Sequence, residues 1–137
     1  MTRILVADDS PTVLQIAEAI LSDAGYQVAT CATGAAAVKL MRHEVFDLLL
    51  TDIYMPDKDG LELIQQVRRR RSPMPVVAMS AMTGTRDMLA VARVLGAWET
   101  LRKPFSKPQL LSVVEAALEA GVRHATPAIA TPADGAW

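Results

Sequence analysis

Asp8-Asp9, Asp52, Ser80 and Lys103-Pro104 each follow an apolar run of strand length, so folding can bring them to one edge of a sheet. Together they would make an acidic pocket with a basic wall and a hydroxyl wall. Carboxylates in such a pocket suit a hard divalent cation, and Mg²⁺ in particular prefers octahedral oxygen ligands while keeping part of its water. The cation and the Lys103 ammonium together would neutralise a phosphoryl group. A carboxylate attacking an anionic phosphoryl donor needs that help, because several negative charges meet in the transition state. The chemistry implied is acceptance of a phosphoryl group.

Apolar, partly β-branched runs at 3–7, 27–31, 46–51, 75–79 and 98–102 have strand length, and the segments between them have helical length and period. The order is strand then helix, five times over. The first helix opens at Ser10, an N-cap with Pro11 in the first helical position, and is expected to bury Val13, Ile16, Ala17, Ile20 and Leu21 before Gly25. Ala37, Val38 and Met41 mark the inner face of the second helix, and Leu63, Ile64 and Val67 that of the third. The fourth, roughly 85–95, carries more apolar side chains than one buried stripe needs. The fifth starts at Ser106, turns Leu110, Val113, Val114 and Ala117 inward, and has Gly121 as its expected C-terminal cap.

Strands alternating with helices imply a parallel sheet covered on both faces, since each crossover returns with the same hand. Ligands of such sheets bind at the carboxyl ends of the strands. The candidate residues follow strands one, three, four and five, which are neighbours in a 2-1-3-4-5 order. Taken singly each is weak: an acidic pair before a helix is usually a cap, Ser80 a loop hydroxyl, and a lysine before proline a surface residue. Their joint placement carries the argument.

The motifs Asp8-Asp9, Asp52 with Met55-Pro56 and Asp59-Gly60, Ser80-Ala81, and Lys103-Pro104-Phe105 resemble, in order and separation, the receiver domain of two-component response regulators, including the single-domain chemotaxis type. The resemblance covers about residues 2–121. It implies a flavodoxin-like doubly wound (βα)5 fold, with Asp52 as phosphoacceptor, Asp8 and Asp9 helping to bind Mg²⁺, Ser80 as the switch hydroxyl and Lys103 as the phosphate-contacting ammonium. Asp9, Asp52 and the backbone carbonyl of Tyr54 would be ligands, with Asp8 acting directly or through water. Pro104 would follow a cis peptide bond, and the donor would be a phosphohistidine on a sensor histidine kinase or phosphotransfer protein.

Two departures from that pattern matter. The aromatic residue common three positions before the lysine is here Thr100; Trp98, two residues earlier on the same strand face, either substitutes for it or belongs to the rim. Output is therefore expected through the loop after Ser80 and the surface of the fourth helix and fifth strand, toward a downstream protein. Tyr54 and Met82 occupy the positions that tune water access to the phosphoaspartate, and both are bulky.

Other readings were open to the sequence. An aspartate-nucleophile phosphohydrolase would want an acidic residue two positions after Asp52, where Tyr54 stands. A calcium loop around Asp57-Lys58-Asp59-Gly60 would put Met55 and Gln66 at positions that need carboxylates. A receiver-like module that binds proteins without phosphorylation has no use for a repulsive acidic cluster. The expectation is a switch and not an enzyme.

The chain has 137 residues, enough for one domain, with 14 basic and 15 acidic residues, a balance that gives no global attraction to nucleic acid or an acidic membrane. The run Arg68-Arg69-Arg70-Arg71 reads as a solvated helix end, with no interleaved aromatics for nucleic acid. A single cysteine, Cys31, forms no internal disulfide, and no signal-peptide core or long apolar span is visible. The expected setting is cytoplasmic, with a domain over 1–121 and a flexible or linker-like Ala/Pro/Thr-rich tail over 122–137.

Overall fold

Five parallel strands stand in the order β2-β1-β3-β4-β5: β1 (Arg3–Ala7), β2 (Gln27–Cys31), β3 (Leu48–Asp52), β4 (Val76–Ser80) and β5 (Glu99–Arg102). The helices between and after them are α1 (Pro11–Asp23), α2 (Gly34–His43), α3 (Gly60–Arg69), α4 (Met88–Leu95) and α5 (Lys107–His124). The computed structural model describes residues 1–55, 59–70, 72–81 and 88–124, the side chains of 88 and 122–124 excepted. The flavodoxin-like order read from the sequence is the order found.

Strand alternation divides the core in two. Ile4, Val6, Leu48, Leu50, Val77, Met79 and Leu101 face α1 and α5, where Leu21, Leu110 and Val114 meet them. Leu5, Leu49, Ile53, Val76 and Ala78 face the opposite way, against Ala37, Met41, Leu63, Ile64, Leu89 and Ala92. β3 and β4 are buried along their whole length, which is why they read as unbroken apolar runs. Each large aliphatic side chain sunk this way contributes roughly 1.5–3 kcal/mol of hydrophobic transfer energy.

Helix starts follow their sequence signals. Ser10 caps α1, its hydroxyl accepting from the Val13 amide at 3.4 Å, and Pro11 stands first in the helix. Asp59 caps α3 by accepting from the Glu62 amide at 2.8 Å. At α5 the Ser106 amide donates to Gln109 Oε1 at 2.8 Å, while the Gln109 amide donates back to the Ser106 hydroxyl at 3.2 Å.

Three expectations need correcting. Ile16 is 47% exposed; α1 buries a narrower stripe centred on Ala17 and Leu21, with Leu14 packed beside it. Gly121 does not cap α5, which continues to His124; its glycine serves close packing, since a Cβ there would lie 2.9 Å from Pro75 Cδ. The boundary expected at 121 thus falls inside the last turn of the helix, and 125–137 lie outside the described residues. Arg68 is no solvated charge: its guanidinium donates to the carbonyls of Gly96, Ser72 and Met74, and burial lowers its pKa. Arg71 lies outside the described residues.

Candidate functional site

The carboxyl edge of the sheet collects the acidic residues. Asp8 comes one residue after β1, and its amide donates to the Cys31 carbonyl at 3.1 Å, which holds the end of β1 beside the end of β2. Asp52 is the last residue of β3 and pairs in register with Met79; Ser80 is the last of β4 and pairs with Arg102. Lys103 follows β5, its amide donating to the Ser80 carbonyl at 2.9 Å. Four neighbouring strands therefore deliver four chemical groups to one place. The Lys103-Pro104 peptide bond is cis.

Asp8 is fully buried, Asp52 and Ser80 are 6% and 2% exposed, and Asp9 is open to solvent. One carboxylate oxygen from each of Asp8, Asp9 and Asp52 lies within 4.8 Å of the others. Asp8 spends its Oδ1 on the Ser10 amide at 2.9 Å and its Oδ2 on Lys103 Nζ at 2.6 Å, and the same ammonium stands 3.4 Å from Asp52 Oδ1. Lys103 thus partly neutralises the two buried carboxylates, one cation against two anions. The all-oxygen donor set, three carboxylates against one ammonium with one side open at Asp9, fits a hard divalent cation such as Mg²⁺.

Asp52 is the perturbed group. Burial pushes its pKa up, the charge of Asp8 pushes the same way, and Lys103 offsets part of the rise. With the folded pKa above the unfolded value, the folded protein binds the extra proton, so stability falls as pH rises from the ordinary carboxylate range through the folded pKa. At neutral pH, without metal, ionised Asp52 is a net cost. Asp52→Asn is expected to raise stability at pH 7 in chelator by on the order of 1 kcal/mol, and to flatten the pH dependence in that acidic window. Urea unfolding at several pH values reads it; an unchanged or lower midpoint at pH 7 would count against a repulsive cluster.

The other positions singled out from sequence are scattered. Tyr54 is 57% exposed beside the acidic edge. Thr100 is half-buried in β5. Trp98 is not at the site: it precedes β5 at the amino edge of the sheet, its amide donating to the Val76 carbonyl at 2.8 Å, and it lines a groove with Pro73, Pro75 and Gly121. It is a rim residue of the opposite end. Met82 lies outside the described residues, as does Pro56.

Gly60 matters more than its place in a motif suggests. A Cβ there would lie 2.1 Å from the Asp52 carbonyl oxygen and 2.9 Å from Ile53 Cα, so α3 packs its first residue directly onto the backbone that carries Asp52. The Gly60 amide donates to the Ile53 carbonyl at 2.7 Å, fastening this contact.

A doubly wound parallel sheet with an acidic cluster, a hydroxyl and a lysine at its carboxyl edge defines the class of this protein as a flavodoxin-like α/β domain built around one polar site. Residues 4–115 match the response regulator receiver domain, and the chain belongs to that family of two-component signalling domains. It is 36% identical over 131 residues to the DNA-binding transcriptional regulator NtrC of Azospirillum brasilense, an alignment that covers 96% of this chain and 26% of that protein. It is 30% identical over 111 residues to the response regulator SaeR of Staphylococcus aureus, covering 81% of this chain and 48% of SaeR. The chain thus spans about a quarter and about half of these two relatives. Among solved structures it resembles a CheY-like receiver domain protein from Methanospirillum hungatei (TM-score 0.83, 27% identity, 91% of this chain and 99% of that one). It also resembles the chemotaxis protein CheY4 of Vibrio cholerae (TM-score 0.78, 29% identity, 85% and 98%). Among the described residues no helix is long and apolar enough to cross a membrane.

Proposed function

We propose that this receiver domain accepts a phosphoryl group on Asp52, from a phosphohistidine of a sensor histidine kinase or phosphotransfer protein, and passes the signal on by changing a protein-binding surface. The observation that carries the reading is the convergence of Asp8, Asp9 and Asp52 within 4.8 Å, with Lys103 reaching two of them. Asp8, Asp9, Asp52 and the Tyr54 carbonyl would hold Mg²⁺, which supplies positive charge against the phosphoryl oxygens.

The chain's own groups do the rest. An Asp52 carboxylate oxygen attacks phosphorus as the bond to the donor nitrogen breaks, and the donor, whose other ring nitrogen carries a proton, leaves as neutral imidazole. Lys103 turns from the carboxylates to an oxygen of the new phosphate, a point charge for a point charge. That phosphate brings about 1.5 to 2 negative charges, and the Ser80 hydroxyl donates a hydrogen bond to it. Since Thr100 replaces the usual aromatic side chain, the change passes mainly through the chain after Ser80 into α4 and the α4/β5 surface, where a downstream protein partner is met. Tyr54 shields the acyl phosphate from water, and Met82 is assigned the same role.

Incubation with magnesium and acetyl phosphate, followed by intact-mass measurement, tests the reading. One phosphoryl adduct is expected on the wild type and none on Asp52→Ala, and Tyr54→Asn is expected to shorten the adduct's lifetime. Steady phosphate release from many esters would favour a phosphohydrolase instead, and no adduct at all would favour a module that binds partners without phosphate.

A further inference from the structure

Arg68 sits in the last turn of α3, and its planar guanidinium is spread over three carbonyls. Nε donates to Gly96 at 2.8 Å, Nη1 to Ser72 at 2.9 Å and Nη2 to Met74 at 3.0 Å. The fork thus ties the end of α3 to the lead-in of β4 and to the turn between α4 and β5, contacts that a lysine's single ammonium does not span. Gly96 is shaped to receive it: its φ is +126°, and a Cβ there would lie 2.5 Å from Arg68 Cγ. The turn is closed on both sides. The Gly96 and Ala97 amides donate back to the Ala92 carbonyl at 3.1 and 2.9 Å, and the Trp98 amide donates to Val76 at 2.8 Å to begin β5. A cation here also faces the negative pole of α4.

This clamp stands at the amino edge of the sheet, the end away from Asp52. The first residue of α4, by contrast, follows Ser80 in the chain after residues 81–87. Eight residues of helix span about 12 Å. A displacement that starts at Ser80 therefore enters α4 at its N-terminal end, while its C-terminal end is tied through Gly96 to α3 and β4.

We propose that Arg68 is a positioning residue that fixes the C-terminal end of α4 as a fulcrum, so that phosphorylation moves the N-terminal end of the helix and leaves the α4–β5 turn in place. The inference rests on the phosphoacceptor reading of Asp52. It assigns the moving end of α4, and not the surface around Gly96 and Trp98, to any partner that distinguishes the two states.

Hydrogen exchange of the full chain, read by mass spectrometry before and after magnesium and acetyl phosphate, tests it, with intact mass taken on the same samples. In the wild type, amides of 88–92 are expected to change their exchange rates by about threefold or more while those of 95–99 do not change. Arg68→Lys, which keeps the charge and loses the fork, is expected to spread the change into 95–99 while the fraction of adduct stays the same. Equal changes at both ends of α4 in the phosphorylated wild type would overturn the fulcrum alone, and so would an Arg68→Lys change confined to 88–92. A sample with no adduct would overturn the phosphoacceptor reading and the fulcrum with it. The wild-type comparison stands without any variant, so a misfolded Arg68→Lys leaves the proposal open to refutation.

Discussion

Gly60→Ala is expected to destabilise the protein by about 3 kcal/mol and to slow phosphorylation of Asp52 by roughly 100-fold. The added methyl would stand 2.1 Å from the Asp52 carbonyl oxygen and 2.9 Å from both the Asp52 carbonyl carbon and Ile53 Cα, all of them backbone atoms at the buried end of β3 and the residue after it. No side chain can swing aside. Either α3 lifts off the sheet, giving up part of the burial of Leu63, Ile64 and Val67, or the end of β3 shifts and takes the acceptor carboxylate with it. Urea unfolding and the rate of adduct formation report the two consequences separately. A variant within about 0.5 kcal/mol of wild type, the usual span of a harmless surface change, would mean that the close approach is not maintained.

Lys103→Met is expected to cost about 3 kcal/mol in metal-free buffer, the range found when one partner of a buried ion pair is removed. Asp8 has no exposed surface and accepts from Lys103 Nζ at 2.6 Å, and Asp52 lies 3.4 Å from the same nitrogen. Without the ammonium, two buried carboxylates face each other with no cation between them. A divalent ion then has more to neutralise and no ammonium to compete with, so magnesium should bind the variant about tenfold more tightly and restore much of the loss by mass action. Thermal unfolding across a magnesium titration reads both effects. A variant as stable as wild type in chelator, or one that magnesium stabilises no more than wild type, would contradict the charge balance drawn here.

The fold was legible because its signals are local and repeated. β3 and β4 are buried on both faces and so read as unbroken apolar runs, and Ser10-Pro11 marks a helix start by chemistry that acts within four residues. The meeting of the candidate residues was legible for a related reason: once five strands run parallel, whatever follows β1, β3, β4 and β5 must share an edge. What escaped depends on distances between segments far apart in sequence. Arg68 looked like one of four surface cations, and only the approach of Gly96, Ser72 and Met74 makes it a three-way clamp. Gly121 looked like a helix stop, because nothing near it in sequence shows that Pro75 crowds that face of α5. Trp98 shares a strand face with Thr100, but period-two alternation gives the face and not the distance along it, and Trp98 lies at the far end of β5 from Lys103. Ile16 fits a helical stripe by spacing, but α1 presents too narrow a face to the sheet to cover it.

Mapping the acyl phosphate tests the central claim most directly. Protein phosphorylated by acetyl phosphate with magnesium is reduced with borohydride, which converts a phosphoaspartate to homoserine, then digested and sequenced by mass spectrometry. Homoserine is expected at position 52 alone and only when magnesium is present. Homoserine at position 8 or 9, a phosphate ester on Ser80, or labelling of Asp52 that proceeds equally well in chelator would contradict the account.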